Sequence, residues 1–375
     1  MEFKLIIKKI NNTLTKEEEI IFNNWFNESK IHQDYFLKVK NNYQKNIDSV
    51  NKDAAWMAVN KKIVSKKKNN KWKYAIAASV ALIISASYYY FSSTYNISKK
   101  NTTVAQQKIK IGTDKATLTL EDGSFVALEK GKTYNSENIQ SNGEKLVYYS
   151  SKKETQPKIV YNYLTVPRGG QFFVELSDNT KVWLNSESQL KYPVTFIPGE
   201  PRKVELIYGE AYFDVSPSTE HKGAKFNVLT QEQEIEVLGT AFNVKAYRDE
   251  TSIYTTLVEG KVSLIVGDEK QFLKPGQQST FNSESNTIKL ATVDTYNETS
   301  WKEGVFSFNN MPLKKIMKVL SRWYRIDVTF INNEVEHVKF NGVLRKDQQL
   351  EDILSVINST TEINYTINEK TIIIK

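Results

Sequence analysis

Residues 172–184 read Phe-Phe-Val-Glu-Leu-Ser-Asp-Asn-Thr-Lys-Val-Trp-Leu. Apolar and polar residues alternate on both sides of Asp178-Asn179, which is the period of two expected of half-buried strands around a tight turn. The same design occurs 56 residues earlier. Ala116–Leu128 alternates around Asp122-Gly123, so that Leu120, Asp122, Ser124, Val126 and Leu128 align with Leu176, Asp178, Thr180, Val182 and Leu184. Two hairpins of one pattern point to a β fold.

Short strand patterns continue outward through Val204–Leu206, Ala211–Val215, Phe226–Leu229, Ile235–Leu238, Phe242–Ala246, Ser252–Val258 and Lys261–Val266. Turns are expected at Pro198-Gly199, Tyr208-Gly209-Glu210, Glu259-Gly260 and Pro275-Gly276. Many short strands with regular turns predict an all-β sandwich, jelly-roll-like, over residues 111–298. From 299 to 375 the pattern changes. Phe306 and Phe308 mark a strand, and Pro312 fits the first position of a helix carrying Leu313, Ile316, Met317 and Leu320. Strands at Ile326–Phe330 and Val338–Leu344 follow, then a helix with Leu350, Ile353, Leu354 and Ile357, then strands at Ile363–Ile367 and Thr371–Ile374. The order β-α-β-β-α-β-β predicts a compact α+β domain.

Upstream, residues 92–110 are polar and read as a linker. Before them stands Tyr74–Phe91, YAIAASVALIISASYYYF, eighteen residues without charge, Pro or Gly. As a helix it would be about 27 Å long, close to the roughly 30 Å hydrocarbon core of a bilayer. Seven lysines between Lys61 and Lys73 precede it without an acidic residue among them, against Lys99 and Lys100 after it. That asymmetry predicts a single transmembrane helix with the N-terminus in the cytoplasm.

The net charge of +8 belongs to this approach. Residues 1–73 hold 16 of the 51 basic residues and 8 of the 43 acidic ones, so 74–375 carry equal numbers of each. A nucleic-acid groove is therefore not expected beyond the membrane. Residues 1–70 read as a small all-α domain. Thr15-Lys16-Glu17-Glu18 matches a capping box, and the helix after it carries Ile21, Phe22, Trp25 and Phe26. A second helix is marked by Tyr35, Phe36, Val39, Tyr43 and Ile47, and a third, near Asp53, by Trp56, Val59 and Ile63. These aromatics either fill a small core or leave a groove for a partner helix.

Conventional active sites are absent from the sequence. It has no cysteine, and His32, His221 and His337 stand far apart, so neither a metal site nor a cofactor is expected. No phosphate-loop, dinucleotide or nucleophile-elbow motif occurs. One dipeptide, Gly239-Thr240, has a second reading. Strain there would set the Thr240 hydroxyl against the preceding carbonyl for an N-to-O acyl shift and self-cleavage, whereas the plainer reading is a β-bulge at Gly239 followed by a strand residue.

Six blocks in order resemble the FecR family of membrane anti-sigma regulators: Thr165–Gly170, Leu176–Asn185, Gly209–Val215, Val237–Val244, Glu259–Val262 and Pro275–Gln277. The C-terminal unit, with Trp301–Gly304, Phe306–Pro312 and Leu320–Tyr324, is similar to the domain appended to Bacteroidetes members. The resemblance implies an inner-membrane protein whose cytoplasmic helices bind an extracytoplasmic-function sigma factor. Its periplasmic part would receive a signal from a TonB-dependent outer-membrane transducer, and proteolysis would free the sigma factor. Several members self-cleave at a Gly-Thr in the block that holds Gly239-Thr240. Phe22, Trp25, Phe26, Phe36 and Trp56 are then the sigma-binding candidates, and Phe306, Phe308, Trp323 and Tyr324 the transducer-binding candidates. The competing expectation is a membrane-anchored envelope protein whose β domain binds glycan or peptidoglycan. Neither reading expects an enzyme beyond self-cleavage.

Overall fold

The computed structural model describes residues 2–28, 30, 32–33, 36–37, 39–40, 109–149, 159–361 and 363–375. They fall into two units, Met1–Thr102 and Thr103–Lys375. Trp56, the expected third helix and the segment Tyr74–Phe91 lie outside the described residues, and among those described no helix is long and apolar enough to cross a membrane.

The first unit opens with a helix that the patterns above did not single out, α1 (Glu2–Ile10). It ends in a Schellman closure. Asn12 takes the left-handed conformation, its N–H reaches the Lys9 carbonyl at 3.3 Å, and the Thr13 N–H reaches the Lys8 carbonyl at 2.9 Å. Helix α2 (Lys16–Glu28) starts at the expected capping box. The Glu18 N–H donates to Thr15 Oγ1 at 3.3 Å, and the Thr15 N–H donates to Glu18 Oε2 at 3.0 Å. Lys8 pairs with Glu18, and Lys9 with Glu19 at 2.6 Å, so the two helices are tied at their junction.

The second unit begins with a sandwich. Its strands are β1 (Thr113–Thr119), β2 (Phe125–Glu129), β3 (Tyr134–Asn135), β4 (Ile139–Ser141), β5 (Lys145–Tyr148) and β6 (Tyr161–Val166). Next come β7 (Gly170–Glu175), β8 (Lys181–Leu184), β9 (Ser188–Pro193), β10 (Arg202–Asp214), β11 (Phe226–Leu229) and β12 (Glu234–Val237). The last are β13 (Ala241–Ala246), β14 (Ser252–Glu259), β15 (Val262–Val266), β16 (Glu269–Leu273), β17 (Gln277–Asn282) and β18 (Thr287–Thr292).

One sheet runs β2-β1-β6-β9-β10-β11-β12-β15-β16. The other runs β3-β4-β5-β7-β8-β10-β13-β14-β17-β18. Inward residues of both, such as Leu164, Leu190 and Phe226 from the first and Val174, Leu184 and Phe242 from the second, form one apolar core. Tyr148 and Tyr192 meet across it, hydroxyl to hydroxyl at 3.0 Å, with Asn162 Nδ2 donating to Tyr148 at 2.8 Å. Burial pushes the Tyr148 phenol up to about 12.

The two expected hairpins are present and share one turn. In the first, the Leu120 N–H bonds the Ser124 carbonyl and the Gly123 N–H bonds the Leu120 carbonyl, each at 3.0 Å. In the second, Leu176 bonds Thr180 at 2.9 Å and Asn179 bonds Leu176 at 3.0 Å in the same way. Each Asp accepts from the backbone two residues on, Asp122 from Ser124 at 2.9 Å and Asp178 from Thr180 at 3.1 Å.

The region around Gly209 differs from expectation. Val204–Leu206 and Ala211–Val215 are not two strands joined by a turn but parts of the single strand β10, which belongs to both sheets. A bulge between Leu206 and Tyr208, followed by Gly209 at φ 102°, carries the strand from one layer into the other. A Cβ on Gly209 would lie 2.2 Å from Ser188 Oγ, so only glycine fits this crossing.

The C-terminal part follows the predicted order, with a short helix added in front. After α3 (Thr295–Thr299) come β19 (Val305–Pro312), α4 (Leu313–Tyr324), β20 (Asp327–Phe330), β21 (Lys339–Arg345), α5 (Leu350–Thr361), β22 (Tyr365–Asn368) and β23 (Thr371–Ile374). Pro312 is the last residue of β19, one position ahead of its expected place inside α4. Strand β19 pairs with β21; β23 pairs parallel with β20 and antiparallel with β22. The inward faces of α4 and α5, including Ile316, Leu320, Ile353 and Leu354, build a second core. Ile109 is buried in that core as well, so the end of the expected linker is packed structure.

Candidate functional site

In the first unit, Phe22 and Trp25 are buried with Leu5 and Ile6, and Phe26 and Phe36 are half-buried against them. Phe36 meets Phe22 edge-on at 5.2 Å and Phe26 at 5.6 Å. Four of the five sigma-binding candidates are therefore core packing in this unit, and Trp56 lies outside the described residues. Ile21, expected on the same face, is instead exposed, as is Ile20. The two isoleucines present the apolar surface that the aromatics do not.

The transducer-binding candidates are likewise interior. Phe306, Phe308, Trp323 and Tyr324 are each at most 5% exposed and belong to the C-terminal core. The burial has a plain cause: these aromatics join Leu313, Ile316, Met317 and Leu320 on the inward faces of β19 and α4, where large apolar side chains leave water.

What these elements form is a polar joint between the sandwich and the C-terminal part. The loop before β7 holds the C-terminal end of α4. Arg168 donates to the carbonyl oxygens of Ser321, at 3.0 Å, and of Ile326, and lies 3.4 Å from Asp327. The Ser321 carbonyl already accepts the Arg325 and Ile326 N–H groups where α4 stops, and the guanidinium adds a further donor to it and meets the negative end of the helix dipole. The neighbouring Gly169 N–H donates to the Arg322 carbonyl at 2.7 Å. Gly169 has φ 71°, and a Cβ on it would lie 2.7 Å from the Arg325 side chain. Gly112 is pressed as closely: a Cβ there would lie 2.6 Å from the Trp323 ring.

Arg322 answers from α4. It is buried, stacks over Tyr247 at 3.6 Å, and bonds Glu250 at 2.9 Å together with Asp249, with Glu187 at 3.4 Å. Burial alone would raise the Asp249 carboxyl, but Arg322 and Lys318 hold it below its ordinary value. Beyond Arg322, the Trp301 indole N–H reaches Asn243 Oδ1 at 3.3 Å, and Asn243 and Asn185 both donate to the Glu210 carboxylate.

Gly239 and Thr240 lie between β12 and β13, where the chain passes from one sheet to the other, rather than inside a strand. The bulge expected at Gly239 is displaced: the register shift falls at Ala241 and Phe242. Gly239 has φ 154°, and a Cβ on it would lie 3.0 Å from Pro217 Cα. The Thr240 hydroxyl donates to the Lys261 carbonyl at 3.0 Å.

The model "FecR protein" matches residues 162–263, and "FecR, C-terminal" matches residues 305–374. A crystal structure at 1.65 Å of a protein assigned as an anti-sigma factor from Parabacteroides distasonis ATCC 8503 is 30% identical, with a TM-score of 0.52, over 57% of this chain and 98% of that one. The chain belongs to the FecR family. A second structure from the same organism, at 2.50 Å, is 29% identical with the same TM-score and coverage. No protein of curated function matches the chain. FecR membership makes this protein a regulator of sigma-factor signalling, with a sigma factor as the partner the family implies.

Several FecR blocks now have physical reasons. Thr165–Gly170 grips α4, Leu176–Asn185 is the second hairpin, and Gly209–Val215 is the sheet crossing. Arg168 and Arg322 stood inside quoted blocks, but only the fold brings them to one joint. Lys346, described below, had no signal in the sequence, since Arg345-Lys346-Asp347 has the composition of a solvent loop.

Proposed function

We propose that this protein is a single-pass inner-membrane anti-sigma factor. Residues 1–70 hold an extracytoplasmic-function sigma factor in the cytoplasm, Tyr74–Phe91 spans the membrane, and the sandwich and C-terminal part stand in the periplasm. There they take a signal from a TonB-dependent outer-membrane transducer, and the sigma factor is released. The protein works by binding, without turnover chemistry. The observation that carries this reading is the pair of FecR matches together with a structural relative assigned as an anti-sigma factor.

Two further observations support it. The charge asymmetry around Tyr74–Phe91 favours a cytoplasmic N-terminus. Ile20 and Ile21 stay exposed on a helix whose aromatic face is already packed, which suits a surface awaiting a partner. The reading is tested by purifying the tagged full-length chain from membranes after cross-linking. A sigma factor in the eluate is the expected result; an eluate without one overturns the reading.

A further inference from the structure

Lys346 is a buried amine at the joint between the sandwich and the C-terminal part. It lies in the turn between β21 and α5, and it is 3% exposed. Its Nζ donates to Gln171 Oε1 at 2.7 Å and lies 3.4 Å from the Trp301 carbonyl oxygen. It sits 3.8 Å from the centre of the Trp323 ring and 5.8 Å from those of Trp301 and Phe306. Its own carbonyl accepts the Trp323 indole N–H at 2.9 Å. The cage has walls from both sides of the joint: Gln171 comes from β7, and the three aromatics come from the C-terminal part.

No carboxylate among the described residues lies within salt-bridge distance of this amine. Two negative groups face it from further off, Asp114 on β1 and Glu210 on β10. Asp114 is reached only through Gln171, whose Nε2 donates to Asp114 Oδ1 at 3.0 Å. The Glu210 carboxylate is already taken by the amides of Asn185 and Asn243, at 2.8 and 3.0 Å. A charged amine here has one amide oxygen, a distant carbonyl and ring faces in place of water, which compensate desolvation only in part. A neutral amine keeps the bond to Gln171 and avoids that cost.

We propose that the Lys346 cage is a proton-sensitive latch: the C-terminal part docks on the sandwich with Lys346 neutral and loosens when Lys346 takes up a proton. The direction follows from linkage. Burial pushes the docked amine down to about 7 from its ordinary 10.5, whereas an undocked, water-exposed Lys346 keeps the ordinary value. Between those two values the undocked form holds more protons, so docking strengthens as pH rises through the window and is weakest, and level, below 7. The docking constant falls roughly tenfold per pH unit between pH 9 and pH 7. This inference goes beyond sigma-factor binding and does not depend on it.

Hydrogen exchange of the full-length chain, divided by the intrinsic rate at each pH, reads the latch in Leu313–Tyr324 and Thr165–Gly170. The wild type is expected to exchange roughly tenfold faster per unit as pH falls from 9 to 7, and then to level off. Lys346→Met is expected to stay protected with no such slope. Lys346→Arg, charged throughout, is expected to exchange fast at every pH, and its profile keeps the proposal testable if the Met variant does not fold. A flat wild-type profile, or the wild-type slope retained in either variant, overturns the latch.

Discussion

Arg202 and Asp178 form a charge pair at 2.7 Å in which both side chains are at most 2% exposed. Asp178 is the turn residue of the second hairpin, and its carboxylate also accepts from Thr180 Oγ1 at 2.8 Å. The guanidinium donates in addition to the carbonyls of Ser216 and Ala224, at 3.0 and 3.2 Å. A local turn is thereby fastened to β10 and to the chain leading into β11. Removing one partner leaves the other charge buried without its counter-ion, which costs about 3–5 kcal/mol. Asp178→Ala is expected to lower unfolding stability by that amount in urea titrations, while Asp122→Ala, in the matching but exposed turn, is expected to cost about 1 kcal/mol or less.

Gly209→Ala should be among the most damaging small substitutions in the sandwich. The position combines positive φ with a backbone that touches Ser188, so the added methyl brings strain and a clash together. A loss of about 2–4 kcal/mol is expected. Gly123→Ala is the control: it shares positive φ but has open space around it, and is expected to cost about 1–2 kcal/mol. Thermal unfolding of the two variants side by side checks the difference.

Arg168→Ala removes the donors that tie the end of α4 to the loop before β7. The expected effect is local: faster hydrogen exchange in the last turn of α4, by about 1–3 kcal/mol of lost protection. Arg168→Lys is expected to restore little of it, because one ammonium cannot reach the Ser321 and Ile326 carbonyls and Asp327 with a fork's geometry.

Self-cleavage at Gly239-Thr240 would need the Thr240 hydroxyl freed to attack the Gly239 carbonyl carbon. In this fold the hydroxyl is donated to Lys261, and the Thr240 carbonyl accepts the Val215 N–H at 3.1 Å. We expect the purified full-length chain to give one intact mass. A pair of fragments that meet between 239 and 240 would contradict this and make the bond at Lys261 a resting state.

The readable parts of the fold were those set by local chemistry. Asp122-Gly123 and Asp178-Asn179 form their turns with bonds spanning two to four residues, so alternation around them sufficed. Thr15 and Glu18 are a local pair in the same sense. Gly209 departs from its expected turn because Tyr-Gly-Glu looks alike in a turn and in a strand that changes sheets; Ser188, which decides between them, is a contact of the folded sandwich. Phe306 and Trp323 were legible as important but not as interior, since an aromatic side chain suits a core and an interface equally. Ile20 and Ile21 carried no distinguishing pattern beside Phe22 and Trp25.

On the function proposed above, the N-terminal helices hold a sigma factor through a surface that the packed aromatics do not use. Its most direct test is the amount of sigma factor recovered with the full-length chain from membranes, compared between the wild type and the double variant Ile20→Glu, Ile21→Glu. The exposed positions allow both glutamates without disturbing the core of Leu5, Ile6, Phe22 and Trp25, which circular dichroism checks. We predict recovery with the wild type and at least a tenfold loss with the variant; equal recovery from a folded variant, or none from the wild type, would contradict the account.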